Sequence, residues 1–437
     1  MCLKTTMNPL RIIKKKLYFS VAAYFSFFAA IYLKRWNPMI ITVTGSSGKT
    51  TLLHLFEAQL GEKAVYSHKA NSAFGIPFHI LGLERISFAW YEWLFFFILA
   101  PFKAYRPIYG EKIYVTEVDA ERPYEAQSLA KLLHPDMLVW LSLEEAHGIN
   151  YDILVKNQSG NMTDMRKAVK QEMAQEFGTL LQHIKTYAVL NSDNAYIQSQ
   201  AARTKAEIKN ISEKDIQNFQ VEFSSVVIAS ALGEFKIPNL IPKNAALSVL
   251  AVASVLKKLN VEVDTEFKNF SVPPGRSSVF PGIQDTILID SSYNATFDGV
   301  TSMLDLMTLY PAQKETWLVL GDMIEQGKSE VAEHMDIAQN ILAVHPSRII
   351  LVGPRLQKNT LPILEKELGK EKVASFMRPD EALVYIQKEL KGGETILFKG
   401  ARFLEGIVER LLADPSDAIM LCRREKIWQE KRKEWGV

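Results

Sequence analysis

The sequence predicts an α/β fold in which two doubly wound halves follow an apolar N-terminal segment. Three observations support this fold class. Short β-branched strands alternate with amphipathic helical patterns along most of the 437 residues. A proline–glycine break at residues 271–276 divides this alternation into two parts. The composition, 48% hydrophobic and 23% charged, is that of a folded chain and excludes a disordered or collagen-like protein.

The strands are predicted where short apolar runs lie between polar or glycine-containing segments. Doubly wound folds produce such runs because helices cover both faces of a parallel sheet. Residues 212–234 instead alternate polar and apolar side chains, which predicts a hairpin inserted into the first half. The other predicted strands are 40–44, 113–117, 137–141, 187–190, 286–290, 316–320, 348–352, 373–376 and 395–398, with helices such as 329–344 and 380–390 between them.

Charge and cysteine content exclude several classes of protein. Lys and Arg number 51 against 49 Asp and Glu, so the net charge of +2 gives no global preference for nucleic acid. Cys2 and Cys422 are too few for a disulfide framework or a cysteine-based zinc site. We therefore expect no nucleic-acid partner and a reducing, cytoplasmic location.

A candidate phosphate-binding loop follows the first predicted strand and precedes an amphipathic helix. Its two glycines let the backbone curl with its N–H groups pointing inward, at a helix N-terminus that favours anions. Lys49 can reach the β- and γ-phosphates of ATP, and the Thr50 hydroxyl can bind Mg²⁺. Because residue 43 is Val, the general pattern G-x-x-x-x-G-K-[ST] is not strictly met. We assign ATP binding to Gly45, Ser46, Ser47, Gly48, Lys49, Thr50 and Thr51.

Two apolar patches lie within the first 102 residues. Residues 17–33 carry no charge and have basic residues on both sides, and their length is the short limit for a helix that spans a bilayer. Residues 86–102 include Glu92 and two Trp. Each patch is either a helix buried against the body or a membrane contact. Since an ATP site requires the cytoplasm, we expect a surface contact through residues 14–35 at the inner face of the cell membrane.

The loop T-G-S-S-G-K-T-T resembles the phosphate loop of the Mur ligase family, ATP-dependent ligases that add amino acids or peptides to cell-wall precursors. Further motifs resemble the family's in the same order. The motifs L-G-D-M-I-E-Q-G at 320–327 and K-G-A-R at 399–402 are most similar to the branch that adds D-alanyl-D-alanine. The remaining matches are N-S-A-F-G-I-P at 71–77, Y-V-T-E-V-D-A at 114–120, A-H-G at 146–148, K-Q-E at 170–172, N-A-A at 244–246, P-G-R at 274–276 and D-S-S-Y-N-A at 290–295.

The resemblance implies a set of Mg²⁺ ligands. Glu117, at the end of a predicted strand, and His147 would bind the metal together with Thr50. Taken alone, Glu117 is equally a strand-end salt-bridge partner, and His147 a histidine satisfied within its loop. Lys170 corresponds to a lysine that is carbamylated in many family members, which would make it an anionic oxygen ligand. Its alternatives are a plain surface lysine or replacement in this role by Lys167.

In the second half, the resemblance implies nucleotide and substrate contacts. Asn244 would contact adenine, or else cap its helix. Arg276 would clamp the γ-phosphate from the interdomain hinge, or be an exposed turn residue. Asp290 would hold the ribose or orient Arg276. The implied substrate-binding residues, which could equally serve packing, turns or a helix N-terminus, are Tyr293, Asn294, Lys399 and Arg402.

Three segments are predicted from the resemblance: a hydrophobic membrane-anchor segment at 1–37, a P-loop Mur ligase central domain at 38–272, and a Rossmann-like C-terminal domain at 273–437 that ends in a basic tail. The tail is either a solvated terminal helix or a membrane-surface contact. The family's usual N-terminal domain binds the uridine nucleotide. In this sequence only about 38 residues precede the first strand, too few for such a domain. The precursor is therefore expected to be uridine-linked or lipid-linked.

The resulting hypothesis is an ADP-forming amide-bond ligase that uses ATP and Mg²⁺ and works through an acyl-phosphate. It would join a cell-wall peptide precursor to D-Ala-D-Ala or a related amino acid or peptide, with Lys49 and Arg276 among the catalytic residues. One alternative keeps the chemistry but makes the protein a membrane-attached poly-γ-glutamate synthase. Another is a non-catalytic, membrane-bound nucleotide-binding scaffold.

Overall fold

The computed structural model describes residues 9–68, 70–85, 91–120, 122–143, 151, 155, 162–311, 314–324 and 329–437, with side chains in the first helix from Tyr18 onward and in helix 162–178 from Lys167 onward. The chain forms two compact units. One comprises Met1–Lys214 with Leu247–Val263, and the other comprises Asp215–Ala246 with Asp264–Val437.

The first unit is built on a six-stranded sheet in which every neighbouring pair is parallel. Both faces are covered, so the central strands are buried along nearly their whole length. This confirms the predicted α/β class with parallel sheets. The strands, in chain order, are β1 (Met39–Thr44), β2 (Ala64–Tyr66), β3 (Ile113–Val118), β4 (Met137–Trp140), β5 (Tyr187–Asn191) and β6 (Glu207–Ile211), arranged in space as β2-β3-β1-β4-β5-β6.

The order of these strands decides where a site can form. β1 lies at the centre of the sheet, between β3 on one side and β4 on the other. The chain runs from β1 to β2 on one side and from β3 to β4 on the other side of β1, so the carboxyl ends of these central strands border a crevice. Helices around the sheet are α1 (Pro9–Trp36), α2 (Lys49–Leu60), α3 (Gly75–Leu81), α4 (Glu92–Lys103), α5 (Glu125–Leu133), α6 (Met162–Gly178), α7 (Ala195–Gln198) and α8 (Lys243–Lys258), the last of which belongs to this unit from Leu247 onward.

The first apolar patch lies in α1 and packs on the first unit. Phe25 and Tyr32 are fully buried and Trp36 is 2% exposed. The Tyr32 hydroxyl donates to the carbonyl of Pro107, and Trp36 Nε1 donates to the carbonyl of Glu111. This supports the buried-helix alternative for residues 17–33. Among the described residues, no helix combines the length and the apolar run needed to cross a bilayer.

The second unit also contains a six-stranded sheet. All neighbours in it are parallel except the antiparallel edge pair β10–β11. Its strands are β10 (Ser278–Pro281), β11 (Ile287–Ser291), β12 (Thr316–Gly321), β13 (Arg348–Val352), β14 (Val373–Phe376) and β15 (Thr395–Lys399), in the order β10-β11-β15-β12-β13-β14. Its helices are α9 (Phe297–Leu309), α10 (Glu330–Ala343), α11 (Pro354–Asn359), α12 (Leu361–Leu368), α13 (Pro379–Glu389), α14 (Leu404–Leu411) and α15 (Lys426–Glu434).

The predicted hairpin at 212–234 is a three-stranded antiparallel sheet in the structure. It comprises β7 (Ile216–Val221), β8 (Val226–Ser230) and β9 (Gly233–Ile237). The alternating pattern continues through β9, where Phe235 and Ile237 are buried, so the prediction stopped one strand too early. These strands fall in the second compact unit. The domain bounds 38–272 and 273–437 remain a prediction about the organisation of the ligase.

The basic tail packs on the second unit along one side of α15. Arg432 is 5% exposed, and its guanidinium Nη1 lies 2.6 Å from Glu409 Oε2. The same carboxylate oxygen accepts from Arg424 at 2.8 Å. The Trp435 ring lies beside the ring of Phe403, with 6.1 Å between centroids. The tail is therefore a structural part of this unit.

Candidate active site

The phosphate loop connects the central strand β1 to α2, as the sequence predicts. Gly48 has φ +76° and Gly45 has φ +138°, values that L side chains rarely adopt, so both glycines are needed for this backbone path. Lys49 is 6% exposed, and its ammonium donates to the carbonyl of Gly45 at 2.6 Å. The lysine side chain thus folds back onto the loop, in the space that a phosphate group would occupy.

Two of the predicted Mg²⁺ ligands lie in direct contact beside this loop. The Thr50 hydroxyl donates to Glu117 Oε2 at 3.2 Å. Glu117 is the next-to-last residue of β3, the neighbour of β1, and is 8% exposed. Its backbone N–H donates to Ser67 Oγ at 2.9 Å, and Asn71 Nδ2 donates to Oε1 at 3.4 Å. The carboxylate is therefore held in place from both sides, with its oxygens next to the threonine hydroxyl.

Ser142, which the sequence analysis did not identify, holds the loop from the other side. It follows β4, the second neighbour of β1. Its Oγ accepts from the backbone N–H of Ser47 at 3.0 Å and donates to the Ser47 carbonyl at 2.7 Å. Its own carbonyl accepts from the N–H of Ser46 at 3.2 Å. A Cβ on Gly45 would lie 2.6 Å from Ser142 Oγ, so the glycine permits this close approach.

Asp119, just beyond β3, completes the first-unit site. Its Oδ2 lies 3.5 Å from the ammonium of Lys49, and both side chains are almost fully buried. The carboxylate therefore gives the buried ammonium an ion-pair partner beside the loop. Asp119 belongs to the motif quoted at 114–120, but its pairing with Lys49 was not predicted. The signal that could have revealed it is its position at the carboxyl end of a strand neighbouring β1.

The other residues predicted in or near this site have different outcomes. His147 lies outside the described residues. Lys170 is half-buried on α6, and its role as a carbamylated ligand stays a prediction. Asn244 is the second residue of α8, and its side-chain amide donates to Ser302 Oγ at 3.0 Å rather than capping the helix.

One further group of metal-ligand side chains lies on the first unit and is distinct from the predicted set. Glu57 Oε2 lies 3.3 Å from His54 Nδ1 and 3.0 Å from His68 Nε2. The two imidazole rings stand 4.9 Å apart. All three side chains are partly exposed, and the shared carboxylate satisfies both rings by ordinary hydrogen bonding.

In the second unit, the Pro-Gly-Arg turn packs against the segment after β11. Gly275 has φ +74°, and its carbonyl accepts from the N–H of Tyr293 at 3.1 Å. The Arg276 guanidinium lies over the Tyr293 ring, 5.1 Å from its centroid. Two motifs that the sequence analysis placed in one site, at 274–276 and 290–295, are therefore in contact.

Asp290 is fully buried at the end of β11. Its Oδ1 accepts from the backbone N–H of Ser292 at 3.0 Å. Its Oδ2 has no hydrogen-bond partner among the described residues. Burial raises the pKa of this carboxyl above its ordinary value, partly offset by hydrogen bonds from Ser292 and by the nearby cations Arg423 and Lys399. Leaving a buried oxygen without a hydrogen-bond partner costs folding free energy. This oxygen is therefore a candidate acceptor for a ligand hydroxyl.

Lys399 lies at the end of β15, the strand next to β11. Its ammonium donates to the carbonyl of Asn294 at 2.9 Å. Burial, and after it the positive charge of Arg276, lower the pKa of Lys399 to about 8, while Asp290 acts in the opposite direction. The structure thus brings Arg276, Asp290, Asn294 and Lys399 into one cluster that also includes Tyr293.

Arg402 lies apart from that cluster, in an ion pair with a buried carboxylate. Its Nη2 and Nε donate to Asp322 Oδ2 at 2.8 and 3.2 Å. Asp322 is fully buried, and its Oδ1 accepts the backbone N–H groups of Arg355 and Leu356 at 3.0 and 3.1 Å. Arg402 itself has φ +83°, so this pair fixes a strained backbone position. Asp322 was quoted within its motif but not assigned to the site.

Arg423 is a further residue that sequence analysis missed. Its Nη2 donates to the carbonyl of Tyr293 at 2.6 Å, and its Nη1 lies 3.0 Å from Glu405 Oε2. Glu405 is fully buried, and burial raises the pKa of its carboxyl, while Arg423 acts in the opposite direction. Arg423 therefore supports the segment 290–295 from a position 130 residues further along the chain.

Comparisons with known proteins agree with this geometry. Residues 275–402 match the family described as Mur ligase, glutamate ligase domain. The chain is 23% identical over 411 residues to the UDP-N-acetylmuramoyl-tripeptide–D-alanyl-D-alanine ligase of Mycobacterium tuberculosis (strain CDC 1551 / Oshkosh), which covers 86% of this chain and 73% of that protein. The ligase of the same name from Bacillus subtilis (strain 168) is 23% identical over 399 residues, 89% of this chain and 79% of that protein. The crystal structure of MurF ligase from Thermotoga maritima in complex with ADP superposes with a TM-score of 0.68 at 19% identity, covering 89% of this chain and 82% of that one.

The fold, the loop site and these matches indicate an ATP-dependent ligase that is similar to the Mur ligases. The resemblance predicted from the sequence is confirmed: residues 275–402 match the model of the Mur ligase C-terminal domain, and the chain is similar to the UDP-N-acetylmuramoyl-tripeptide–D-alanyl-D-alanine ligases over most of its length.

Proposed function

We propose that this protein joins the carboxylate of a cell-wall peptide precursor to the amine of D-Ala-D-Ala, or of a related amino acid or peptide. The observation that carries this proposal is the contact of Thr50 and Glu117 beside a glycine loop with a buried Lys49. The names of the matched relatives support the choice of substrates.

The reaction consists of two displacements. An oxygen of the precursor carboxylate attacks the γ-phosphorus of ATP, which forms an acyl-phosphate and releases ADP. The amine then attacks the acyl carbon, the C–O bond to phosphate breaks, and the amide forms with loss of one proton from nitrogen and release of phosphate. Phosphoryl transfer of this kind depends mainly on positioning and on neutralising charge.

The residues of the first unit supply the positioning and the positive charge. Lys49, paired with Asp119, would turn from the loop carbonyls toward the phosphates. Thr50 and Glu117 fit Mg²⁺ because they place oxygen ligands side by side, and this ion prefers oxygen. When bound, Mg²⁺ would neutralise phosphate charge. His147 and Lys170 stay proposed ligands.

The cluster in the second unit offers groups for nucleotide and substrate. The unpartnered Oδ2 of Asp290 fits a ligand hydroxyl such as those of ribose. Lys399 and Arg402 are cations suited to a substrate carboxylate, with Tyr293 and Asn294 next to Lys399. The roles proposed for Asn244 and Arg276 toward the nucleotide belong to the same hypothesis.

We also propose that the ligase works at the inner face of the cell membrane, which would favour a lipid-linked precursor over a uridine-linked one.

Phosphate release from ATP by the purified chain tests the reaction. We expect release only when Mg²⁺, a precursor carboxylate and an amine are all present. The substrate panel combines uridine-linked, lipid-linked and free tripeptides with D-Ala-D-Ala, D-Ala and L-glutamate, and product masses identify the amide. Polymeric glutamate products would support the poly-γ-glutamate alternative, whereas ATP binding without release across the whole panel would support the scaffold.

Lys49→Ala tests the loop within the same assay. We expect phosphate release to fall to background, because the buried ammonium is the loop's own cation. Lys63→Ala, at an exposed position just after α2, is the matched control and should keep full activity. Unchanged activity of the Lys49 variant would show that ATP is hydrolysed elsewhere.

A further inference from the structure

The second apolar patch leaves one face of α4 exposed. Its outward side chains recur at helical spacing, so they form one continuous stripe. Phe95 is 61% exposed, Ile98 64% and Phe102 73%. We define the α4 face as the exposed large apolar side chains within this helix and just past it, namely Leu94, Phe95, Ile98, Leu99, Phe102 and Tyr105.

The opposite side of α4 explains how the helix is held. Phe96 is 6% exposed and Ala100 is fully buried. The Tyr24 hydroxyl of α1 donates to the carbonyl of Phe97 at 2.6 Å, and the rings of Phe78 and Phe96 are in edge contact. The helix is therefore firmly packed by one side, so the exposure of the α4 face is a fixed feature of the surface.

Positive charges lie at the C-terminal end of the α4 face. Lys103 ends the helix, and Arg35 of α1 donates to the carbonyl of Ala104 at 2.8 Å, beside the same end. The acidic residue of α4, Glu92, is largely buried, and its carboxylate lies 3.6 Å from Arg85 Nε. An apolar stripe with cations at its end complements a bilayer surface that carries anionic head groups.

We infer that the α4 face binds the surface of an anionic phospholipid bilayer, with the helix lying in the plane of the interface. Its 12 residues measure about 18 Å, well short of the roughly 30 Å hydrocarbon core. The aromatic rings and Lys103 suit the head-group boundary. This inference deepens the proposed membrane location, and it moves the contact from residues 14–35 to the second patch.

The exposed side of α1 explains this change. It presents Ser20, Ala23, Phe27 and Ala30 to the outside, and only Phe27 among them is large and apolar. The bulky aromatic residues of α1 are used in packing against the unit. α1 therefore acts mainly as the support on which α4 rests.

Sedimentation of the full-length chain with vesicles tests the inference. We expect binding to phosphatidylglycerol–phosphatidylcholine vesicles at least tenfold stronger than to phosphatidylcholine alone. The double variant F95E/F102E should lose at least tenfold of this binding. The double variant F27E/I419E is the control with the same added charge, because it places two glutamates at other exposed apolar positions: Phe27 on α1, 62% exposed, and Ile419 on the second unit, 80% exposed; the single variants Phe27→Glu and Ile419→Glu accompany it. All three should bind vesicles as wild type does.

Three results would overturn the inference: equal binding of wild type and F95E/F102E, loss of binding in the Phe27 variant alone, or a wild-type dimer that F95E/F102E converts to monomer with no vesicle binding by either. The last result would assign the face to a second copy of the chain. Circular dichroism and thermal unfolding confirm that each variant is folded. Because vesicle binding is measured without substrates, its outcome is separate from that of the ligase assay.

Discussion

The contact between Ser142 and the phosphate loop leads to a quantitative prediction. Ser142→Ala removes two hydrogen bonds to Ser47, one accepted and one donated by Oγ, and leaves the backbone bond to Ser46 in place. Each such bond contributes about 0.5–1.5 kcal/mol net, so the ordered conformation of the loop loses about 1–3 kcal/mol of stabilisation. If ATP binding must supply that ordering, its Kd should rise about 5- to 150-fold.

Titration calorimetry with ATP measures this effect. The matched control is Ser199→Ala, because Ser199 Oγ also donates one hydrogen bond, to the Tyr196 carbonyl at 2.7 Å, and accepts one, from Gln200 at 2.8 Å. Both variants should lose similar stability, but only the Ser142 variant should bind ATP more weakly. A Kd within twofold of wild type for Ser142→Ala would refute the idea that this serine orders the loop.

Three further predictions concern the site and its support. Glu117→Gln should reduce phosphate release at least about 100-fold and raise the Mg²⁺ concentration needed, since an amide is a poorer ligand than a carboxylate; equal Mg²⁺ dependence would contradict the ligand role. Lys399 loses its proton as the pH rises through about 8, so KM for the carboxylate substrate should rise between pH 7 and 9, and Lys399→Arg should flatten that rise because a guanidinium stays charged. Tyr18→Phe removes a hydrogen bond at 2.9 Å to the buried Glu125 and should lower unfolding free energy in urea by about 1 kcal/mol; no change would show that the bond is not formed in solution.

Part of the loop site could be predicted because its residues follow strands in a recognisable order. Glu117 is the next-to-last residue of β3 and Thr50 lies in the first turn of α2, and parallel sheets bring such positions together. Ser142 could not be predicted, because its contact with the loop depends on β4 being the neighbour of β1. The sequence alone does not show which strands are neighbours in the sheet. Arg423 could not be predicted for a related reason: its partner Tyr293 lies 130 residues earlier and shares no motif with it.

The two apolar patches show the limit of composition as a guide. Both are rich in aromatic residues, and neither has a polar face that would reveal its orientation in the sequence. Tertiary contacts decide the difference, since α1 uses Phe25 and Trp36 to pack against the unit, whereas α4 is held by Phe96 and exposes Phe102. Whether a segment that is apolar on all sides is buried depends on neighbours that are distant in sequence. Hydrophobic periodicity gives no information about those neighbours.

The role of α1 also determines which experiment can test membrane attachment. Tyr18 and the backbone N–H of Ala73 both donate to Glu125 Oε1, and Asn71, two residues before Ala73, donates to Glu117. The N-terminal helix is thus connected by hydrogen bonds to the segment that holds the proposed Mg²⁺ ligand. Its loss would disturb the site whether or not a membrane is present.

Deleting residues 1–37 should therefore unfold the first unit or abolish activity in detergent-free buffer. The deletion removes Phe25, Tyr32 and Trp36 from the core, and truncating even one such aromatic residue costs about 3–5 kcal/mol. The summed cost of losing all three residues is comparable to the whole free energy of unfolding of a typical domain, about 5–15 kcal/mol. A folded, active deletion variant, judged by circular dichroism and phosphate release, would contradict the structural role of α1. If the variant unfolds as expected, its failure to reach membranes says nothing about anchoring, and only surface substitutions such as F95E/F102E separate membrane binding from folding.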